Sequence, residues 1–303
     1  MNTGAKLAAF AAVVAATFGG ALAVGAAVGP IDTGQSTAHT PTDGSVTGRP
    51  RGLAVAEAGY RLAVETDTVE TDTAAPGAAS TFAFQIVDDE GAAVTEFDEL
   101  HERRLHLIVL SRNLVDYLHL HPTMDADGRW TVEVPPLHAG SYRVFADFQA
   151  TGGDNLTLGI DVTVPGDVQI ADLPQPSAIN TIDGYTVSLS GMPRVGDAEL
   201  SFSVELDGQQ VRTDPYLGAA GHLVAIRIGD LAYLHVHPHE DATTSVITFT
   251  GEFPTAGTYR LFLDFSHNGA VRTAAFTVVV PDAGVGAHGT MTSDTTSHDD
   301  EGH

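Results

Sequence analysis

The sequence contains no cysteine. A chain without thiols cannot form a disulfide, a thiolate metal site, an iron–sulfur cluster or a catalytic thiol. Any metal ion held by this protein must therefore be bound by histidine, methionine or carboxylate side chains.

Basic residues are also scarce. The 303 residues include 14 Lys and Arg against 39 Asp and Glu, which gives a formal net charge of -25. Binding to nucleic acid depends on basic side chains that neutralise phosphates, so this composition argues against a nucleic-acid partner. An acidic surface favours solubility and raises the local concentration of cations. These features suit a soluble protein of the outer cell surface.

Charge is absent from a long segment near the N-terminus. Lys6 precedes a run of mostly small apolar residues, 7–29. Its length fits a membrane-spanning helix of about 20 residues, and Ala21-Leu22-Ala23 fits the cleavage site of a secretory signal. We predict that residues 1–29 are a signal peptide or membrane anchor, and the apolar run past the candidate cleavage point favours the uncleaved anchor. Both alternatives place the rest of the chain outside the cytoplasm.

Composition divides the rest of the chain into two modules between polar segments. A stretch rich in Thr, Gly, Ser and Pro predicts a flexible stalk, and a His-rich, acidic C-terminal segment predicts a disordered tail that can collect divalent cations loosely. The predicted order is a stalk at 30–51, a first module at 52–166, a linker at 167–176, a second module at 177–281 and the tail at 282–303.

The two modules repeat each other in sequence. GYRLAV at 59–64 matches GYTVSL at 184–189, and GSYRVFADF at 140–148 matches GTYRLFLDF at 257–265. The segments are short, alternate apolar with polar residues, and are separated by Gly, Pro, Asn or Asp, which is typical of half-buried antiparallel strands. We predict an all-β fold of two tandem immunoglobulin-like antiparallel β-sandwiches after the N-terminal apolar helix.

Histidines recur at equal spacing in both modules. YLHLHP at 117–122 matches YLHVHP at 233–238, and one further histidine lies thirteen positions before each pair. If the two strands form a hairpin, alternation places the three imidazoles of a module on one face, with cross-strand Cβ atoms about 4.5–5.5 Å apart. The predicted metal ligands are His106, His119 and His121 in the first module, and His222, His235 and His237 in the second.

The second module carries two more candidate ligands, His239 and His267, while the first offers Met124 as a soft ligand. Imidazole without thiolate suits Cu(II) or Zn(II), and divalent affinities peak at copper, so copper is favoured over zinc. Asp147 and Asp264 interrupt apolar strands, where backbone groups or neighbouring arginines can hold them, and either carboxylate can orient a metal-bound histidine. The histidines can instead serve a structural role, by forming hydrogen bonds to loop carbonyls.

The chain resembles a family of largely uncharacterised bacterial secreted or membrane-anchored proteins. The shared pattern is a His-Leu-Ile-Val strand, a Leu-His-Leu-His-Pro strand, an Asp-Gly hairpin and a Gly-x-Tyr-x-x-Phe-x-Asp-Phe strand, found here at 106–109, 118–122, 127–128 and 140–148. Such proteins are similar in architecture to the CopC- and YtkA-like extracytoplasmic sandwiches. That similarity implies a role in copper or heavy-metal homeostasis.

The leading hypothesis is therefore an extracytoplasmic protein, anchored to the membrane or secreted, that buffers, stores or passes on copper to a partner protein. Its mechanism is reversible imidazole coordination that protonation opposes. The alternative is a non-metal surface protein whose sandwiches act as spacers or ligand-binding domains. A metal-dependent hydrolase is disfavoured, because the repeat and the missing helices do not fit the strand–helix barrels of such enzymes. We therefore expect no enzymatic activity.

Overall fold

The structure is a computed structural model that describes residues 4, 10, 12, 14, 17, 18, 50–65, 79–169, 171–234, 236–239 and 245–282, with only the backbone at position 237. The predicted anchor, stalk and tail fall almost entirely outside these residues. No helix in the described part of the chain is long and apolar enough to cross a membrane. The chain divides into two compact units, Met1–Gly48 and Arg49–His303, and the larger unit contains both modules.

The first module is a β-sandwich. Its two antiparallel sheets have the strand orders β1-β2-β3-β7-β6 and β5-β4-β8-β9. Large side chains from both sheets, among them Phe84, Trp130 and Phe148, fill the space between them. The strands are β1 (Ala56–Glu57), β2 (Tyr60–Val64), β3 (Ser80–Val87), β4 (Leu105–Ser111), β5 (Tyr117–Leu120), β6 (Thr123–Met124), β7 (Arg129–Val134), β8 (Gly140–Gln149) and β9 (Asn155–Val164).

The second module repeats this architecture. One sheet has the order β10-β11-β12-β17-β16, with β13 paired to β12, and the other has the order β15-β14-β18-β19. Phe202, Phe249 and Phe276 belong to the core between them. The strands are β10 (Ile179–Ile182), β11 (Tyr185–Ser190), β12 (Gly196–Leu206), β13 (Gln209–Val211), β14 (His222–Arg227), β15 (Tyr233–Leu234), β16 (Val236–Pro238), β17 (Val246–Phe253), β18 (Gly257–His267) and β19 (Ala270–Val280). The predicted all-β fold of tandem repeated sandwiches is confirmed.

A tyrosine at the start of one long strand fixes the same corner in each module. The hydroxyl of Tyr142 donates to the carbonyl of His138 at 2.9 Å, and that of Tyr259 donates to the carbonyl of Thr255 at 2.8 Å. Both rings are fully buried. The Gly-x-Tyr-Arg motif therefore ties each long strand to the loop four residues upstream, as in a tyrosine corner.

The two modules pack against each other through their four-stranded sheets. Every residue of β4 is buried, although a strand of one sandwich would normally bury only one face. Leu107 and Val109 point into the core of their own module. Ile108 and Leu110 point the other way and pack with residues of β14 and β18, including Ile226 and Phe262. The sheets β5-β4-β8-β9 and β15-β14-β18-β19 are thus the inner layers of one compact unit.

An aromatic stack lies at the centre of this interface. The rings of Tyr117 and Phe262 are parallel within 5°, with centroids 4.2 Å apart. We predict that Phe262→Ala lowers the free energy of unfolding by about 3–5 kcal/mol, because it removes a fully buried ring from both modules at once. Urea denaturation followed by far-ultraviolet circular dichroism, which reports on the strands of both modules, measures this loss, and it should keep a single transition.

Val279→Ala is the matched control for this substitution. Val279 lies on the neighbouring strand β19 and is 53% exposed, so its loss should change stability by less than about 0.5 kcal/mol. Docking of the modules is contradicted if wild type already unfolds in two transitions and Phe262→Ala shifts only one of them.

Candidate metal centre

Three histidines of the first module converge on the face of its four-stranded sheet that packs against the second module. Strands β4 and β5 form the predicted hairpin, with Ile108 opposite His119 and Leu107 opposite Leu120. Continuing this register brings His121, just beyond β5, to the position across from His106. One nitrogen from each of the three rings lies within 4.8 Å of the other two. The alternation of the two strands therefore brings the first predicted triad together.

The ring separations suit a single ion. The centroid distances are 5.2 Å from His106 to His119, 5.2 Å from His106 to His121, and 4.8 Å from His119 to His121. Imidazole nitrogens bind Zn²⁺ at about 2.0–2.1 Å, which puts ring centroids about 5 Å apart in a tetrahedral site. The three rings are already spaced as ligands of one metal ion.

Hydrogen bonds on the outer nitrogens fix the tautomers of two rings. Nε2 of His106 lies 3.0 Å from the carbonyl of Leu100, so this nitrogen carries a proton and donates. Nδ1 of His119 donates to Oδ2 of Asp264 at 2.8 Å. The remaining nitrogens, Nδ1 of His106 and Nε2 of His119, face each other at 3.0 Å. In the neutral rings both carry lone pairs, which repel unless a cation lies between them.

The third ring also presents an unsatisfied nitrogen. Nε2 of His121 is buried and has no hydrogen-bond partner among the described residues. A buried polar atom without a partner costs about 1–3 kcal/mol, so such atoms point to a ligand or bound ion. The triad thus brings two inward lone pairs and one unpartnered buried nitrogen into one small volume.

Burial keeps several of these imidazoles neutral. Removal from water lowers the pKa of His121 to about 3 and that of His222 to about 3. Removal from water, followed by the repulsion of neighbouring His119, also lowers the pKa of His106. Only the neutral ring has a lone pair to offer a metal ion, so this environment prepares the nitrogens for coordination.

The second module supplies the residues that surround the triad. Asp264 on β18 is 1% exposed and accepts hydrogen bonds from His119, from the hydroxyl of Tyr117 at 3.2 Å, and from Thr273. The ring of His222 lies 5.9 Å from that of His106 and 6.1 Å from that of His119. Tyr216 packs against His222 and His121. The triad of one module is therefore enclosed by the other.

Asp264 has a counterpart in the first module. Asp147 is the partner of His106 in the β4–β8 ladder, just as Asp264 is the partner of His222 in the β14–β18 ladder. Asp147 accepts a hydrogen bond from Asn155 at 2.9 Å and another from the hydroxyl of Tyr233 in the second module. Each module thus sends a tyrosine to the buried aspartate of the other.

The arginines beside these aspartates do not hold them. Arg260 donates to the carbonyl of Leu114 and to the hydroxyl of Thr277, while Arg143 donates to the backbone near Gly52 and to Asp161. Of the two alternatives predicted for these aspartates, backbone groups or arginines, the described contacts of Arg143 and Arg260 do not include the arginine pairing. Because Arg260 reaches a carbonyl of the first module, its guanidinium joins the two modules instead.

The remaining predicted ligands lie elsewhere or outside the described residues. His235 and the side chain of His237 belong to the latter group. His239 is exposed and forms a hydrogen bond to Thr250, and Nδ1 of His267 forms one to the hydroxyl of Tyr185. Neither joins the group of nitrogens formed among the described histidines. Met124 packs against the core of the first module.

Two residues near the triad were not predicted from the spacing of the histidines. The ring of His101 lies 6.1 Å from that of His106 and 5.0 Å from that of His222. Tyr216 precedes β14, in the loop that packs against His121 and His222. His101 has no counterpart histidine in the second module, so the repeat gave no signal for it. Tyr216 carries no pattern beyond its position six residues before His222.

A family model matches the chain twice, at residues 60–166 and 180–282, and its description is a domain of unknown function, DUF8832. These two matches span most of the chain. The chain belongs to the DUF8832 family. The two DUF8832 domains coincide with the two sandwiches, and His106, His119, His121 and His222 all lie within them. No curated protein matches this chain.

Solved structures resemble the DUF8832 pair only distantly. They include a DUF4426 family protein from Pseudomonas aeruginosa PAO1, 10% identical with a TM-score of 0.28, which covers 35% of this chain and 99% of its own. A tetra-tandem repeat from the extending region of a large adhesion protein is 15% identical, with a TM-score of 0.24, and covers 74% of this chain. This chain spans 50% of that repeat. Domains 5–6 of the S-layer protein SbsC are 14% identical, with a TM-score of 0.22, and cover 73% of this chain and 97% of their own.

The buried imidazoles predict how the stability of the metal-free DUF8832 pair depends on pH. His106, His121 and His222 have pKa values lowered in the folded state, whereas the same groups in the unfolded chain titrate near the ordinary value of about 6.5. Below about pH 6.5 the unfolded chain binds protons that the folded chain does not. The contribution of these three histidines to stability is therefore complete above this pH and is lost as pH falls toward about 3.

We expect the urea concentration at the midpoint of unfolding of the metal-free protein to decrease as the pH is lowered from 7.5 to 5. The variant His121→Leu removes one of the three titrating groups and should show a shallower fall over the same range. Carboxylates contribute equally in both proteins, so the difference between the two curves reports the imidazole alone. Parallel curves for wild type and variant would show that His121 is not held neutral.

Proposed function

We propose that this protein binds a divalent transition-metal ion through His106, His119 and His121. The observation that carries the proposal is the pair of lone pairs facing each other across 3.0 Å between His106 and His119, with the unpartnered Nε2 of His121 beside them. The outer nitrogens of His106 and His119 donate to a backbone carbonyl and a carboxylate. That arrangement is the usual one for metal-bound histidines.

Copper is the ion that the donor set suits best, with zinc as the alternative. All three donors are neutral imidazoles, which suit both ions, and affinities of nitrogen ligands for divalent metals peak at Cu²⁺. Because burial lowers the pKa of His106 and of His121, we expect protons to displace the ion only well below the ordinary histidine range.

A proton is the second candidate for the cation between the rings. The 3.0 Å separation of the two nitrogens is a hydrogen-bond distance, and it is shorter than the roughly 3.3 Å expected between two ligands of a tetrahedral zinc ion. A protonated His119 would donate to both His106 and Asp264. In that case the cluster is a polar clamp between two sandwiches, and the protein is a surface module without a metal.

The biological role we propose is metal handling outside the cytoplasm, as buffer, store or carrier of copper. The apolar run at 7–29, the acidic composition and the absence of cysteine support this location. The role is the one that the sequence resemblance to CopC- and YtkA-like proteins implies. A partner protein that accepts the metal follows from the carrier role. Association with the membrane through the N-terminal segment is what the apolar run at 7–29 predicts.

Isothermal titration calorimetry with Cu(II) and Zn(II) tests the proposal. We expect the double variant His119→Asn/His121→Leu to lose one equivalent of high-affinity Cu(II) relative to wild type. The asparagine keeps an amide N–H near the position of Nδ1, so the hydrogen bond to Asp264 survives while Nε2 is removed. The leucine removes the unpartnered nitrogen without opening a large cavity.

His138→Asn is the matched control. His138 is a histidine of the same module with a side chain 82% exposed, beside Asp116 and outside the cluster. Its replacement should leave the binding isotherm unchanged. Equal copper binding by wild type and the double variant would overturn the metal assignment and favour the shared proton.

Asp264 gives a second test, because it orients His119 without being positioned as a ligand. We expect Asp264→Asn to weaken Cu(II) binding about 10–100-fold, as loss of a carboxylate behind a metal-bound histidine usually does. Asp161→Asn, which changes a half-exposed carboxylate of the first module, should bind as wild type does. An unaltered affinity in Asp264→Asn would show that this carboxylate does not support the metal site.

A further inference from the structure

His222 is the histidine of the second module that faces the triad of the first. It begins β14, the counterpart of β4, and occupies the position that His106 occupies in the first module. It is 9% exposed and therefore nearly as buried as His106. Three of its neighbours within 6.1 Å are imidazoles, those of His101, His106 and His119.

A tight turn before each of these strands holds the histidine that follows. In the first module the turn closes between Leu100 and Arg103, and in the second between Tyr216 and Ala219. Both turns place two consecutive residues at positive φ, His101 and Glu102 in one and Leu217 and Gly218 in the other. Non-glycine residues in this conformation are strained and cluster at functional sites.

The turn fixes the tautomer of the histidine in both cases. Nε2 of His222 donates to the carbonyl of Leu217 at 3.2 Å, as Nε2 of His106 donates to that of Leu100. Nδ1 of His222 is then left with a lone pair.

The geometry sets one requirement. The centroid of His222 lies 5.9 Å from His106 and 6.1 Å from His119, compared with 4.8–5.2 Å within the triad. The ring must therefore turn or move by about an ångström to reach an ion held by the other three. His101 and Tyr216 pack edge-on against it, with ring centroids at 5.0 and 5.8 Å.

We propose that Nδ1 of His222 is a fourth ligand of the ion bound by His106, His119 and His121, so that one ion is held by both modules. The inference rests on the proposed metal binding and adds a ligand from the second module to that site. For His222 it replaces the prediction that this histidine belongs to a separate triad in its own module. Binding of the ion then favours the docked arrangement of the modules.

Electron paramagnetic resonance of the full chain loaded with half an equivalent of Cu(II) tests this inference. We expect the spectrum of wild type to report four nitrogen ligands and that of His222→Gln to report three. The glutamine keeps an N–H near Nε2 for the carbonyl of Leu217 and removes only Nδ1. The Cu(II) affinity of this variant should fall at least about tenfold.

His101→Asn and His138→Asn are the comparison variants, and both should keep the four-nitrogen spectrum. Circular dichroism and metal-free thermal unfolding establish that each variant folds. If His222→Gln keeps four nitrogens, or if His101→Asn is the variant that loses one, the inference is overturned while the triad stands. If wild type binds no Cu(II), the proposed function fails as well.

Discussion

The packing of two four-stranded sheets against each other is the contact on which the candidate site depends. Ile108, Val224 and Ile226 form its apolar centre together with the stacked rings of Tyr117 and Phe262. Each such side chain contributes about 1.5–3 kcal/mol when it leaves water. That apolar contact offsets the cost of enclosing several polar rings beside it, because imidazoles without water are expensive unless each finds a partner. Without the docked sheets, His106 and His119 would face solvent, and Asp264 would not reach the ring that it orients.

The hydrogen-bond partners of the buried rings lie on their outer sides, and no positive charge balances the lone pairs at the centre. Backbone carbonyls accept hydrogen bonds from the outer N–H groups of His106 and His222, and the carboxylate of Asp264 accepts one from His119. These groups are all acceptors, so each ring is obliged to turn a lone pair inward. Asp264 also brings a negative charge into a place that is closed to water. Under the proposed function, a cation at the centre would satisfy the lone pairs and the carboxylate together.

Sequence alternation was sufficient to predict the hairpin and the convergence of His106, His119 and His121, because a period of two fixes which side chains share a face of a sheet. It was not sufficient to predict what covers that face. The stretch from 105 to 110 is apolar on both sides of His106, which is the pattern of a strand buried on both faces, yet a pattern does not name the second layer. The crossing contacts from Tyr117 to Asp264 and from Tyr233 to Asp147 depend on docking between distant segments. Their residues repeat in the sequence, but nothing in a repeat tells whether its copies touch.

Internal duplication gives the candidate site its character. Two equal modules dock through equal sheets and bring their equivalent strands β4 and β14 together. His106, the second residue of β4, therefore lies near His222, the first residue of β14. The group of buried histidines is therefore shared by both modules, although only the first module contributes the triad. If the proposed ion is bound, Asp264 by itself makes its affinity depend on docking, because a carboxylate behind a metal-bound histidine raises metal affinity about 10–100-fold, or about 1.4–2.7 kcal/mol, and it does so only while the modules are docked. By linkage, the proposed ion would return the same free energy to docking. Such an ion would act on the interface as much as the interface acts on the ion.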